Sequence, residues 1–199
     1  AALGWLAEGF DPRQRDAAEG LEAFYSDLGE PEIDDPFFLP WLAGERVPVD
    51  EERLRGAFYG LSLRHDLQSI KRSVIEGVAL NTRWAYSKVA SQRDADLSGT
   101  IPLVGGAAAN PHLAQALADS LKRQVRVGDT KMSGVLGAAA MAAPTLGWAD
   151  TVWDAAKIIS NRDGPVYDPD MSRAGMLDDR YGRLEHVRKS LVKLYRKEV

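Results

Sequence analysis

The stretch IPLVGGAAANPH, residues 101–112, decides the fold class. Its apolar start, residues 101–104, predicts a short buried strand, and Pro111 suits the first turn of a helix that follows. Gly105 and Gly106 therefore lie at the carboxyl end of a strand and near the N-terminus of a helix. Unpaired backbone N–H groups and the helix dipole favour an anion at such a place.

The sequence pattern leaves two interpretations of this turn open. Glycines lack a Cβ, so a ligand can lie against the backbone, and Asn110 can hydrogen-bond that ligand. In the alternative, the segment is only a tight strand-to-helix turn in which Asn110 caps the helix. The segment matches neither the P-loop pattern nor the GxGxxG fingerprint, so no motif decides between the two.

A long helix precedes this strand. It begins after Asp66, a candidate N-cap, and Leu67, Ile70 and Val74 start a face at helical spacing. Gly77 inside it costs about 1 kcal/mol relative to alanine, so we expect a close packing contact there.

The remaining pattern extends the alternation of strands and helices. We expect strands at 37–42, 56–63 and 125–127, helices at 1–29 (with a break at Asp11-Pro12), 113–121, 133–143, 151–160 and 178–198, and a loop at 161–175. This order predicts an α/β domain with a mixed sheet covered by helices.

Composition excludes several functions. The chain has 199 residues, a net charge of −4, no cysteine and three histidines far apart in sequence. We therefore expect no metal site and no nucleic-acid partner. No apolar stretch approaches the ~20 residues of a membrane span, so we expect no membrane partner. The sequence starts at AALGWL without Met, and we expect a fragment or an excised domain.

Other polar candidates have ordinary explanations. Glu45 and Arg46 lie in a polar turn, where charged pairs are usually solvated. Trp41 is expected in the core or at an interface rather than as a platform that stacks on a sugar. The RHD triplet at 64–66 lacks a nucleophile and is better explained as a helix entry. Glu76 is either buried and functional or, as is usual for a helical glutamate, solvated or paired.

Five stretches occur in a fixed order along the chain: FLPWLAGERVP (38–48), RGAFYGLSLRH (55–65), IEGVALNTRW (75–84), IPLVGGAAAN (101–110) and GVLGAAAMA (134–142). Together they resemble the C-terminal domain of the FGGY carbohydrate kinases. The first two look most like the xylulokinase branch of that family.

The resemblance implies a ribonuclease-H-like, actin-like ATPase fold. It implies a single C-terminal kinase domain over residues 1–199, with a helical lead-in at 1–34 and the main α/β body at 35–199. The catalytic N-terminal domain, including the general-base aspartate, is then expected upstream of this chain. No catalytic residue is expected within it.

The resemblance also implies a nucleotide site. Gly105, Gly106, Ala107 and Asn110 become nucleotide-binding candidates, and Gly4 joins them because GWL resembles the end of a second wall. The helix with GVLGAAA is expected to pack behind the nucleotide. The implied cofactor is ATP with Mg²⁺.

The implied function is phosphorylation of a sugar or polyol hydroxyl, with a xylulose-like substrate favoured. The alternatives are a non-catalytic nucleotide-binding or scaffold module of the same fold, and an α/β binding protein without a nucleotide. We expect a cytoplasmic protein that binds ATP or ADP, a homodimer as one arrangement, and no activity from this chain alone.

Overall fold

A computed structural model describes residues 2–10, 22–92, 98–128, 132–159 and 164–197. The expected break at Asp11-Pro12 lies outside these residues. The helices are α1 (Ala2–Phe10), α2 (Leu67–Ala90), α3 (Pro111–Leu121), α4 (Ser133–Ala142), α5 (Val152–Ile159) and α6 (Met171–Lys197). The strands are β1 (Phe37–Leu39), β2 (Ala57–Tyr59), β3 (Ile101–Leu103), β4 (Val125–Val127) and β5 (Val166–Tyr167).

The described strands form two sheets. Strands β1 and β2 pair antiparallel, while β3 pairs parallel with β4, which pairs antiparallel with β5. The predicted α/β class with a mixed sheet is confirmed. Strands β1, β2 and β3 are shorter than expected, β4 has the predicted bounds, and β5 was not predicted. Pairing of β1 stops at Leu39, directly before Pro40, which has no N–H to donate to a ladder. Strand β3 is half-exposed rather than buried.

Helix α2 is the central element of the fold. Asp66 caps it as predicted, because its Oδ1 accepts a hydrogen bond from the Ser69 backbone N–H at 2.9 Å. One side of α2 contributes Val74 to an apolar cluster with α1, α3 and β4, and another contributes Leu80 and Trp84 to a cluster with β1 and α6. The helix therefore ties the two sheets together.

Gly77 confirms the expected close approach. A Cβ at this position would lie 2.2 Å from the carbonyl oxygen of Phe38, which belongs to the backbone of β1. Since backbone cannot rotate away, only glycine lets α2 pack at this distance from the strand.

We expect Gly77→Ala to destabilise the protein by about 1–3 kcal/mol, the usual cost of overpacking, despite the better helix propensity of alanine. Urea unfolding followed by circular dichroism measures this. Gly182→Ala is the matched control, because a Cβ there meets no heavy atom within 4 Å. If the two variants have equal free energies of unfolding, α2 and β1 can move apart to admit a Cβ without loss of stability, which would contradict this prediction.

The expected loop at 161–175 and the predicted start of the last helix at Asp178 are wrong. Strand β5 lies within that loop, and α6 begins at Met171. Asp170 caps the helix, since its Oδ1 accepts hydrogen bonds from the backbone N–H and the hydroxyl of Ser172. Along this helix Leu184 is buried, whereas Leu194 is exposed.

Helix α1 ends at Phe10, directly before the expected break, and residues 22–24 are helical as the predicted segment at 1–29 requires. Residues 25–29 are not helical, so the predicted helix extends too far at its carboxyl end. The buried face of α1, which includes Leu3 and Leu6, joins the cluster that α2 and α3 share. Tyr25 adds a polar link, because its hydroxyl donates to the Leu3 carbonyl oxygen at 3.1 Å.

Candidate functional site

The glycine turn lies at the carboxyl edge of the parallel strand pair β3–β4. Gly105 has φ +88°, a conformation that favours glycine, and a short 3₁₀ helix, Gly106–Ala109, leads into α3. The Gly128 N–H, just after β4, donates to the Leu103 carbonyl oxygen at 2.8 Å, which joins the two strand ends. Ligands of α/β proteins commonly bind outside the carboxyl ends of parallel strands.

The surface beside the two glycines is open. A Cβ built on Gly105 or Gly106 would meet no heavy atom within 4 Å, and the neighbouring Val104 side chain is exposed. The first N–H groups of a helix have no partner within it, so the start of the 3₁₀ helix adds donors to this surface. The turn can therefore accept a ligand against bare backbone.

Asn110 is the N-cap of α3. Its Oδ1 accepts a hydrogen bond from the Leu113 N–H at 2.9 Å, and its carbonyl oxygen accepts one from the Ala114 N–H. The side chain is buried, and its Nδ2 has no hydrogen-bond partner among the described residues. The capping interpretation is confirmed, and a donor remains for which the described residues supply no acceptor.

The other nucleotide-binding candidates lie in different elements. Ala107 is part of the 3₁₀ helix beside the glycines, whereas Gly4 is a half-buried residue of α1. Leu3 and Leu113 belong to the same apolar cluster, which brings α1 and α3 together. The nearest atom to a Cβ on Gly4 is Glu8 Oε1 at 3.9 Å, so a nucleotide contact at Gly4 stays a prediction.

Helix α4, which carries the GVLGAAA segment, packs on α5. The contact consists of Ala140, Ala143 and Ala155, while Val135 and Met141 are exposed. The position of α4 behind a nucleotide stays a prediction.

The remaining sequence candidates have structural roles. His65 contacts the Asp34 carbonyl oxygen through Nε2 at 2.9 Å, which supports the interpretation of RHD as a helix entry. Glu45 accepts a hydrogen bond from Asn81 Nδ2 at 2.7 Å, and the buried Trp41 donates to Asn81 Oδ1. His112 is half-buried in the first turn of α3.

Two arginines, the buried Arg180 and the partly buried Arg72, carry interactions that the sequence did not reveal. Arg180 Nε donates to Glu76 Oε1 at 2.5 Å, and Arg72 forms a two-pronged ion pair with Asp35 at 2.7 and 2.8 Å. Burial raises the pKa of Glu76 to about 7, against the attraction of Arg180. Glu76 is therefore paired, as the second interpretation expects, and it is also buried rather than solvated.

No group of three or more histidine, aspartate or glutamate side chains within the described ranges has the arrangement of a metal site. We accordingly assign no metal ligand to this part of the chain. A search of the described helices for one long and apolar enough to cross a membrane finds none.

Comparisons with known proteins identify the family of this chain. The model of the C-terminal domain of the FGGY family of carbohydrate kinases matches residues 1–146. The xylulose kinase of Staphylococcus epidermidis is 29% identical over 158 residues, which is 79% of this chain and 31% of the relative. The erythritol kinase of Brucella abortus is 30% identical over 156 residues, or 78% of this chain and 29% of the relative.

Solved structures give the same picture. The crystal structure of xylulose kinase from Rhodospirillum rubrum matches with a TM-score of 0.80 and 27% identity, covering 98% of this chain and 38% of that one. The gluconate kinase of Lactobacillus acidophilus shares the fold, with a TM-score of 0.80 and 24% identity over 98% of this chain and 39% of the other. The chain spans about a third of the length of the curated relatives it matches. It belongs to the FGGY family of carbohydrate kinases and corresponds to the C-terminal domain of that family.

Proposed function

We propose that the parent protein transfers the γ-phosphoryl group of ATP to a hydroxyl group of a sugar or polyol. Residues 1–199 supply its nucleotide-binding domain, with residues 1–34 as a lead-in to the body at 35–199 and with the ribonuclease-H-like, actin-like topology. Membership of a carbohydrate kinase family supports the reaction class. Relatives named xylulose kinase and erythritol kinase favour a pentulose or a similar polyol, with a xylulose-like substrate first.

The open glycine turn is the single observation that carries the nucleotide assignment. In this proposal adenosine lies against Gly105, Gly106 and Ala107, because a Cβ on either glycine would meet no heavy atom of the described residues within 4 Å. The positive end of the α3 dipole and the free N–H groups of the 3₁₀ helix favour an anionic ligand beside this turn. Asn110 holds the turn in place as the helix cap, and its unpaired Nδ2 offers a donor to the ligand.

The chemistry itself is assigned to another part of the parent protein. Phosphoryl transfer depends on positioning, on neutralising phosphate charge with Mg²⁺, and on a carboxylate that orients the attacking hydroxyl. In this proposal Mg²⁺ arrives with the nucleotide, and the general-base aspartate belongs to a catalytic domain outside residues 1–199. The present domain is then one side of a cleft that closes over the substrates, and it has no kinase activity alone.

A pair of substitutions separates the two roles of Asn110. Serine is as good an N-cap as asparagine and is neutral, but it lacks the amide donor, whereas alanine lacks both functions. We expect both Asn110→Ser and Asn110→Ala to weaken ADP binding about tenfold, or about 1.4 kcal/mol. Only Asn110→Ala should also lower the free energy of unfolding, by about 1 kcal/mol.

Titration with ADP, followed by NMR chemical shifts so that weak binding is measurable, gives the affinities, and thermal unfolding gives the stabilities. Unchanged ADP affinity in Asn110→Ser would assign Asn110 to capping alone. If the unaltered chain does not bind ADP while the full-length parent protein is active, the nucleotide site does not lie at this turn.

A further inference from the structure

A cavity of about 240 Å³ lies between α2, α3, α6 and the segment 28–31, apart from the glycine turn. Pro111 and His112 of α3 line it, but Gly105, Gly106 and Asn110 do not. The proposed function makes no use of this cavity. Its walls are mostly apolar, and they include Leu28, Ile75, Ala116, Met176 and Leu177.

Most charged groups that line the cavity already have partners of opposite charge. Glu76 pairs with Arg180, and Arg72 pairs with Asp35. Arg173 contacts both Glu30, which also lines the cavity, and Asp170. These groups therefore offer little net charge to a ligand.

Asp119 also lines the cavity, but unlike these groups it has no ion-pair partner among the described residues. It is 2% exposed, and within the described part of the chain no cation lies at ion-pair distance from it. Its Oδ1 accepts both of its described hydrogen bonds, from Gln115 Nε2 at 2.7 Å and from the Asp170 N–H at 2.8 Å. Burial raises the pKa of this carboxyl group, and its two hydrogen bonds and the attraction of Arg173, which lies beyond ion-pair distance, oppose the rise in part.

We propose that this cavity binds a small organic cation, a primary amine with an apolar body, whose ammonium group pairs with Asp119. An apolar cavity of about 150 Å³ holds benzene, so the larger space here suits a ligand of about ten non-hydrogen atoms. Sugars and polyols fit poorly, since apolar walls leave their hydroxyl groups without partners. An ammonium group at ion-pair distance compensates the buried charge of Asp119 more directly than Arg173, which the fold engages with Glu30 and Asp170.

Phenethylamine is the probe, and 2-phenylethanol, which has the same size and no charge, is its matched control. We expect saturable binding of the amine, with NMR shifts on the amides of Ala116 and Asp119. The alcohol should bind at least about ten times more weakly, corresponding to about 1.4 kcal/mol. Asp119→Asn, which keeps the Oδ1 acceptor and hence the links to Gln115 and Asp170, should weaken amine binding by a similar factor.

A second variant tests the location. Ala116→Phe fills the cavity and should abolish amine binding while ADP binding stays unchanged, which also separates this proposal from the nucleotide assignment. The proposal is overturned if the amine does not saturate, if Asp119→Asn binds it as well as the unaltered chain does, or if the shifts map to other residues.

Discussion

Arg180→Met is expected to lower the free energy of unfolding by about 3–5 kcal/mol. The Arg180 side chain is buried, donates to Glu76 and also donates to the carbonyl oxygens of Ile33, Asp35 and Pro36 at 2.8, 2.9 and 3.3 Å. Removing one partner of a buried ion pair costs about 3–5 kcal/mol, because the other charge stays buried without compensation. That is a large fraction of the 5–15 kcal/mol, roughly, that stabilises a typical domain.

Arg183→Met is the matched control for this substitution. Arg183 belongs to the same helix and lies over the same Phe37 ring, at 5.3 Å against 4.4 Å for Arg180, but it is exposed. Urea unfolding followed by circular dichroism gives both free energies. A loss for Arg180→Met no larger than that for Arg183→Met would contradict the role of Arg180 as a buried link between α6, α2 and residues 33–36.

The contribution of the buried Glu76–Arg180 pair to stability also depends on pH. Burial raises the pKa of Glu76 from 4.5 to about 7, so the folded protein binds a proton that the unfolded chain releases between these values. The contribution of Glu76 is therefore fully present below about pH 4.5 and is lost as the pH rises through about 7. Glu76→Gln should flatten this slope, and a slope equal to that of the unaltered chain would contradict the assignment.

The second large effect concerns ligand binding. Gly106→Leu is expected to weaken ADP binding about 100-fold, or about 2.8 kcal/mol, because the side chain occupies the space assigned to adenosine. The fold should tolerate the change, since a Cβ at Gly106 meets no heavy atom within 4 Å and its φ is not positive. Gly105 is a poorer choice, because its φ of +88° would strain any other residue and confuse folding with binding.

Gly182→Leu is the control for the Gly106 variant. Gly182 is an exposed residue of α6 with the same open surroundings, and it lies outside the candidate site. Calorimetry or NMR titration with ADP compares the two variants. Equal loss of affinity in both, or full affinity in Gly106→Leu, would remove the glycine turn from the nucleotide site.

The structural features that the sequence predicted correctly are local ones. The Asp66 and Asn110 caps, Pro111 at the start of α3 and the close contact at Gly77 each follow from one residue and its chain neighbours. Such features depend on backbone geometry within a turn or two, which the sequence specifies directly. The family resemblance, carried by five ordered stretches, then placed the glycine turn in a kinase domain.

The sequence pattern did not reveal the features that join distant segments. Glu76 and Arg180 are 104 positions apart, and no local periodicity indicates that they meet. The cavity beside Asp119 likewise arises from four separate segments. The start of α6 was missed for another reason: the prolines and aspartates of residues 165–170 are typical of a loop, while Asp170 was in fact the N-cap.

Amide hydrogen exchange with and without ADP tests the central claim most directly. If residues 104–110 form the adenosine site, ADP should slow exchange at the turn and in the first turn of α3, with little change at α6. Absence of this protection under conditions in which ADP binds, or protection confined to other elements, would contradict the assignment of the glycine turn as the nucleotide site of this carbohydrate kinase domain.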